Sequence, residues 1–341
     1  MIKAVQSVSG NLALRGAAWG LALTCIVSAA RAQTCQTATD MDAASRSALE
    51  VTGKRYFDMA ARGDAAGLKQ NAIPSLASNF SGIETAVKDN QSALTGTQAT
   101  VRPPFLLAAE GSQPVARAEF LCGVFGSGGQ TRDSAVFVLN GLPPGKYGVA
   151  IVDAKSSQDT RTVTMILQQM GAEWKLAGFY ARSSQINGHD ANWFIQHARE
   201  YKTKGQTHNA WLYFREAISL TAPADFMSTL DTDKLYDEAQ SVQPTDLPAN
   251  GNTADLSVAG AVYKLIAIFP LAVGNDLDLI VRYQAADVSD TVKIFQTNNT
   301  LIKALLTKFP EFRDAFAGVA ARAVEPSGRD FGTMLPMKEI K

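Results

Sequence analysis

The chain holds three histidines, His189, His197 and His208, all within one short stretch, with Asp190 beside the first. Three imidazoles and a carboxylate make a zinc site if they converge on one point. The spacing matches no recognised ligand pattern, and imidazoles are common on wet helix faces. These three therefore stand as the metal candidates, while the expectation is that no metal or other cofactor is bound. Trp193, Tyr201, Trp211, Tyr213 and Phe214 crowd the same stretch. Tyr201 and Phe214 fall on an apolar stripe at helical spacing and read as core. Trp193 and Trp211 fall off it, and either pack on a neighbouring sheet or form a recognition surface.

Other groupings carry less chemistry. Asp231, Asp233, Asp237 and Glu238 imitate a calcium-binding loop, but the position that needs glycine for the sharp turn holds Tyr236. Gly123, Gly126, Gly128 and Gly129 follow a strand without the G-x-G-x-x-G spacing or a following Gly-Lys-Ser/Thr, so a hairpin loop accounts for them. The chain contains no G-x-S-x-G, H-E-x-x-H or Cys-x-x-Cys. Nucleophilic catalysis has no candidate.

The elements that position these residues begin with an address label. Residues 1–32 carry Lys3 and Arg15, an apolar run over 16–29, and Ala30-Arg31-Ala32, an A-x-A cleavage site before Gln33. The run is shorter than the ~20 residues of a membrane span, and Ala22-Leu23-Thr24 is a poor lipobox for Cys25. The expectation is export to the periplasm or beyond after cleavage between Ala32 and Gln33, with no membrane span. Cleavage removes Lys3, Arg15 and Arg31 and no acid, which leaves 29 basic and 32 acidic residues and a net charge of −3. Without basic runs, that balance argues against a nucleic-acid partner.

Cys25 leaves with the same segment, so Cys35 and Cys122 remain, and in an oxidising compartment two thiols read as a disulfide. Two cysteines alone are a weak metal site. The bridge would close a loop of about ninety residues, worth ~4–5 kcal/mol in the chain-entropy account, and would pin the new N-terminus to a strand at 115–125. The competing reading leaves Cys122 as an ordinary buried thiol and Cys35 loose.

The remaining length suggests two domains or more, and 46% hydrophobic with 19% charged residues is ample for packed cores. From 40 to 63 the period is helical, with Leu49, Tyr56, Phe57 and Ala60 on the apolar face. Shorter helices are expected over 65–70 and 75–94. The period then changes to two, with strands expected at 115–125, 134–139, 147–152, 162–167 and 174–180 and another near 100–108. Helices followed by an antiparallel meander make an α+β domain over 33–185.

Two pieces carry a resemblance. Tyr56-Phe57-Asp58-Met59-Ala60-Ala61-Arg62-Gly63-Asp64 is similar to the end of the first helix of the cone-shaped nuclear-transport-factor-like (SnoaL-like) family. Glu173-Trp174-Lys175-Leu176-Ala177-Gly178-Phe179 is similar to its final strand. The resemblance covers 40–182 and implies a pocket at the open end of the cone, where some members act as isomerases or hydrolases through an Asp, Glu or His. Residues 40–182 hold no histidine, which leaves carboxylates such as Asp58, Glu119 and Asp153. The turn Leu142-Pro143-Pro144-Gly145-Lys146-Tyr147 also looks like turns of immunoglobulin-like sandwiches, the alternative for this sheet.

Residues 191–223 read as two short helices joined at Gly205. Phe194, Ala198 and Tyr201 share one face, Ala210, Phe214 and Ala217 the other, and Pro223 is a stop. The stretch resembles a single tetratricopeptide repeat, with no second copy at the ~34-residue period; such arrays need about three repeats. The hairpin is therefore expected to pack against something else, as a helical connector over 186–242. A further helix is expected over 225–242, with Leu230, Leu235, Tyr236 and Ala239 apolar. Residues 243–254 read as a linker and 255–341 as a small β-β-α-β-β unit. Its strands are expected at 262–269, 277–283, 319–324 and 331–335, and its helix over 288–308, buried through Val292, Phe295, Leu301, Ile302 and Leu305. The expected function is an exported, non-catalytic binding or scaffold protein for a partner protein or small ligand. The alternative is a small-molecule isomerase or hydrolase acting in the cone pocket.

Overall fold

Asp42 opens the first helix by accepting a hydrogen bond from the Ser45 backbone N–H. The computed structural model describes residues 33–125, 129–156, 159–249, 251–258 and 260–340, so the expected signal segment 1–32 and its cleavage site lie outside the described residues, as do Gly126 and Gly128. Strand β1 (Gln33–Gln36) precedes helices α1 (Ala43–Ala61) and α2 (Ala65–Gln70). The helix expected over 75–94 is interrupted, giving α3 (Pro74–Ala77) and α4 (Ser81–Leu94), with Ser78 turned back to donate to the Ser75 carbonyl. The strand expected near 100–108 is likewise two, β2 (Gln98–Val101) and β3 (Phe105–Ala109), because Pro103 and Pro104 have no N–H for a ladder. Then come β4 (Val115–Cys122), β5 (Ala135–Leu142), β6 (Gly145–Lys155), β7 (Thr160–Met170) and β8 (Glu173–Ser183). The short strands β9 (Gln185–Ile186) and β10 (His189–Asp190) lead into α5 (Ala191–Thr203) and α6 (Thr207–Thr221).

The fold is α+β, but the strands do not form one meander. β1-β3-β6-β7-β8, with β2 also on β6, make an antiparallel six-stranded sheet. β4 and β5 leave it to form a second, three-stranded sheet, completed by β11 (Met227–Thr229), which pairs with β5 after the helical hairpin. The layers follow from burial on both faces of the large sheet. Ala150, Val152, Val163, Met165 and Leu167 face Leu49, Tyr56, Phe57, Leu68 and Val87 of the helices. Tyr147, Val149, Ile151 and Ile166 face Phe120, Phe137 and Leu139 of the second sheet. The helix–sheet space is filled by side chains, and the Tyr56 hydroxyl donates across it to the Trp174 carbonyl at 2.8 Å.

Past β11, the helix expected over 225–242 is shortened to α7 (Leu230–Gln240), and Tyr236, expected on its apolar face, is 52% exposed while Thr232 is buried. A strand, β12 (Ala254–Val258), starts where the linker was expected to end, so the C-terminal unit has one strand more than expected, β-β-β-α-β-β. β13 (Ala261–Val273), β14 (Asp276–Gln284), α8 (Thr291–Lys308), β15 (Gly318–Val324) and β16 (Asp330–Pro336) complete it. The sheet order is β12-β13-β14-β15-β16, antiparallel except between β14 and β15, which α8 connects.

The buried face of α8 is also corrected: Ile294, Asn298, Leu301, Ile302, Leu305 and Leu306 are inside, whereas Val292 is 68% and Phe295 48% exposed. A polar residue at the centre of the stripe hid the true face. Asn298 accepts from the Tyr283 hydroxyl at 2.8 Å and donates to Thr333 Oγ1 at 3.1 Å, which is what permits an amide to be fully buried. The hairpin shares this core. Phe194, Ala198, Ala210, Phe214 and Ala217 belong to one apolar cluster with α8 and the five-stranded sheet, and the Tyr213 hydroxyl donates to the Ala315 carbonyl.

Helix α1 lies close against β6 because glycine stands at the contact. A Cβ added at Gly53 would sit 2.7 Å from the Cβ of Ala150, which the backbone of the sheet holds in place. Gly53→Ala gains about 1 kcal/mol of helix propensity, whereas overpacking costs about 1–3 kcal/mol. The substitution is therefore expected to lower stability in urea unfolding despite improving the helix. An increase would mean that α1 can step away from the sheet.

Candidate functional site

The Pro103-Pro104 break leaves a gap in the large sheet, and the gap is the floor of a cavity of about 420 Å³. β2 pairs with one end of β6 and β3 with the other, while Arg102 returns its N–H to the Ile151 carbonyl at 2.8 Å. The floor is apolar: Pro103, Pro104, Phe105, Ile151 and Met227. One wall is the turn Thr37–Thr39, locked where Thr37 donates through both its backbone N–H and its hydroxyl to Asp40 Oδ2, which holds that carboxyl below the usual range. Arg132–Ser134 continues the lining beside it, with Ser134 tied to the Gly123 carbonyl.

The rim carries Arg46 and Glu50 from α1, together with Arg102, Arg132 and Asp133. Arg102 is already engaged, with Nε at 2.6 Å and a terminal nitrogen at 2.7 Å from the two Asp153 oxygens, and Thr162 donates to the same carboxylate. Arg46 reaches only the Ala38 carbonyl, at 3.4 Å, and Arg132 makes no ion pair among the described residues. Such a site is chemically suited to a small molecule that is apolar over most of its surface and carries a few polar groups.

The expected disulfide is present. Cys35 in β1 and Cys122 in β4 are bonded with Cα atoms 5.0 Å apart, so the bridge staples the large sheet to the small one. It also stands behind this lining, since Thr37 is two residues past Cys35 and Ala135, next to Ser134, pairs with Cys122. No described helix is long and apolar enough to cross a membrane, and with the disulfide this is compatible with an exported protein.

The three histidines are not brought to one point, and no group of three or more His, Cys, Asp or Glu among the described residues is placed to hold a metal ion. His189 and His197 stack on opposite sides of the Trp193 indole, with ring centroids 3.9 and 3.8 Å away. His208 lies elsewhere, at the start of α6. Its Nδ1 is 2.7 Å from Glu311 and its Nε2 2.9 Å from Asp246, so it ties the hairpin to two later segments. Trp211 is buried, with the Arg215 guanidinium 4.8 Å from its ring centroid. Neither indole therefore offers an open stacking face.

Of the carboxylates considered for cone chemistry, Asp58 pairs with Lys54 on the helix surface, Asp153 holds Arg102, and Glu119 is exposed on β4. The calcium-like acids are spread over α7, and Glu238 is paired with Arg199, which lowers its pKa. The cavity residues carry no motif; the one sequence signal is the Arg-Pro-Pro interruption of an alternating run at 102–104. The chain gives no significant match to a protein-family model, to a curated protein or to a solved structure.

Two predictions follow from charge and bonding here. Glu216 on α6 is partly buried, makes no hydrogen bond among the described residues, and is pushed by burial up to about 7 against the pull of Arg215. A raised carboxyl binds its proton more tightly in the folded chain, so stability falls as pH rises from about 4.5 through about 7 and stays lower above. Glu216→Gln is expected to flatten that descent in thermal melts at pH 4–8. An unchanged profile would place the descent elsewhere.

Replacing both cysteines by serine removes a cross-link over 87 residues, and stability is expected to drop by about 4 kcal/mol in denaturant titration. A drop below about 1 kcal/mol would show that β1 holds by its hydrogen bonds alone.

Proposed function

We propose that this is an exported, non-catalytic binding protein whose seat for a small ligand is the cavity at the Pro103-Pro104 break. The observation that carries the reading is the pairing of a pre-formed apolar floor with a polar rim in which Arg46 and Arg132 make no ion pair among the described residues. The volume is in the range of small-molecule sites, roughly 300–1,000 Å³. Side chains fill the space between the helices and the large sheet, and the cone carboxylates Asp58 and Asp153 are paired with Lys54 and Arg102, which supports binding over catalysis.

In the same reading, helices α1–α4 on an antiparallel sheet are a variant of the nuclear-transport-factor-like (SnoaL-like) cone. The α5–α6 pair, with Ala198 and Ala210 inside, is a lone tetratricopeptide-like hairpin. Residues 1–32 are a signal peptide cleaved between Ala32 and Gln33, a reading supported by the Ala30-Arg31-Ala32 pattern after an apolar run. Cleavage also fits a disulfide suited to an oxidising compartment.

The site is tested with 1-anilinonaphthalene-8-sulfonate, an aromatic sulfonate small enough for the cavity, followed by its fluorescence. Native protein is expected to enhance and saturate the signal. Ala38→Trp, which fills the cavity from its wall, is expected to weaken binding at least about tenfold, or ~1.4 kcal/mol, with the melting temperature unchanged. Equal binding by both proteins would remove the cavity from consideration.

A further inference from the structure

The five-stranded sheet has two unlike faces. One turns Leu265, Ile268, Leu279, Val281 and Val319 into the C-terminal core. On the other, the register lines up Phe269, Ile280, Ala320 and Met334 in a single row across β13, β14, β15 and β16. Ile280 is 5% exposed yet belongs to none of the three cores, and Met334 is 46% exposed. The rows to either side differ in sign. Leu271, Asp278 and Gly318 flank it on one side, Ala267, Arg282 and Arg322 on the other.

The face of a sheet turned away from its core ordinarily shows polar residues, and a contiguous apolar row on it marks an interaction surface. Two polar groups are also left short. Arg282 Nε is buried without an acceptor among the described residues. Asp278 is 4% exposed, accepts no hydrogen bond among the described residues, and has its carboxyl pushed up by burial. Arg322 is held by Asp330.

We propose that this face is the interface of a two-fold dimer, that its occupant is a second copy of this chain, and that the axis runs along the Phe269–Met334 row. Rotation about that axis lays the row on itself and exchanges its flanks, so Asp278 of each copy meets Arg282 of the other. An axis along the strands would instead oppose Asp278 to Asp278. The acid, apolar, base order of Asp278, Ile280 and Arg282 on one strand is therefore self-complementary in only one of the two arrangements, as an isologous contact requires. Nine residues of β14 span about 30 Å and five strands about 20–25 Å. Two such faces bury roughly 1,200–1,500 Å², at the lower end of stable interfaces.

Sedimentation velocity of the purified protein over about 1–100 µM is expected to show a monomer–dimer equilibrium in the micromolar range or tighter. Met334 lies on the axis and faces itself. Met334→Glu and Met334→Lys are therefore each expected to weaken the dimer at least about tenfold, and an equimolar mixture of the two to recover it. Leu271 faces the basic flank of the other copy, so Leu271→Lys is expected to weaken association at least about tenfold more than Leu271→Glu. Both positions are exposed, and unchanged melting temperatures establish that the variants fold. A wild type monomeric throughout, a dimer indifferent to the Met334 variants, or a mixture that stays monomeric would each overturn the proposal.

Discussion

Strand β6 is apolar on both faces, and the layers built around the large sheet depend on that. Alternate residues, Tyr147, Val149 and Ile151 one way and Ala150, Val152 and Ala154 the other, enter two separate cores. A strand buried on both sides cannot pay water its share on either, so both faces must be covered at once. The helices cover one and the β4–β5 sheet the other. The small residues at Gly53, Gly148 and Ala150 set how near the helices come, and the disulfide sets how near the second sheet comes. Because the covering on the second side stops at the Pro103-Pro104 break, the cavity lies where it does.

The hairpin solves a different problem. A pair of helices buries one face against itself and must bury another elsewhere. Here the second face goes to the C-terminal unit, through Tyr213 and the ring of Phe309, Phe312 and Phe316. His208 fixes the entry of α6 into that contact by bridging Glu311 and Asp246, with Phe309 against its ring. The imidazoles that looked like metal ligands thus serve as polar joints and stacking partners.

Local pattern carried much of the fold. Period and caps placed α1, the strand alternation, the hairpin and the α8 crossover, because each is decided within about a dozen residues. Partner choice was not legible. Nothing in Val115–Cys122 tells that strand to desert its neighbours for a second sheet, since pairing depends on residues far along the chain. Asn298 misdirected the reading of α8 because its amide is satisfied only by Tyr283 and Thr333, which sequence spacing does not connect. The disulfide was legible because, with Cys25 set apart in the expected signal segment, Cys35 and Cys122 were the one remaining pair. The cavity was not, since its walls come from six separated segments joined only by the fold.

The return of the chain to β5 as β11 means that the three-stranded sheet is not built from one continuous piece of sequence. Met227–Thr229 is the outer strand of the small sheet, and Ala224 and Met227 belong to its core. A fragment stopped at residue 185 would leave the outer edge of β5, from Ala135 to Phe137, without its hydrogen-bonding neighbour. Bare edges of this kind recruit strands from other molecules. The helical hairpin is thus an excursion between β5 and the last strand of its sheet, and a division of this protein by excision has to keep residues 224–229 with the sheet they close.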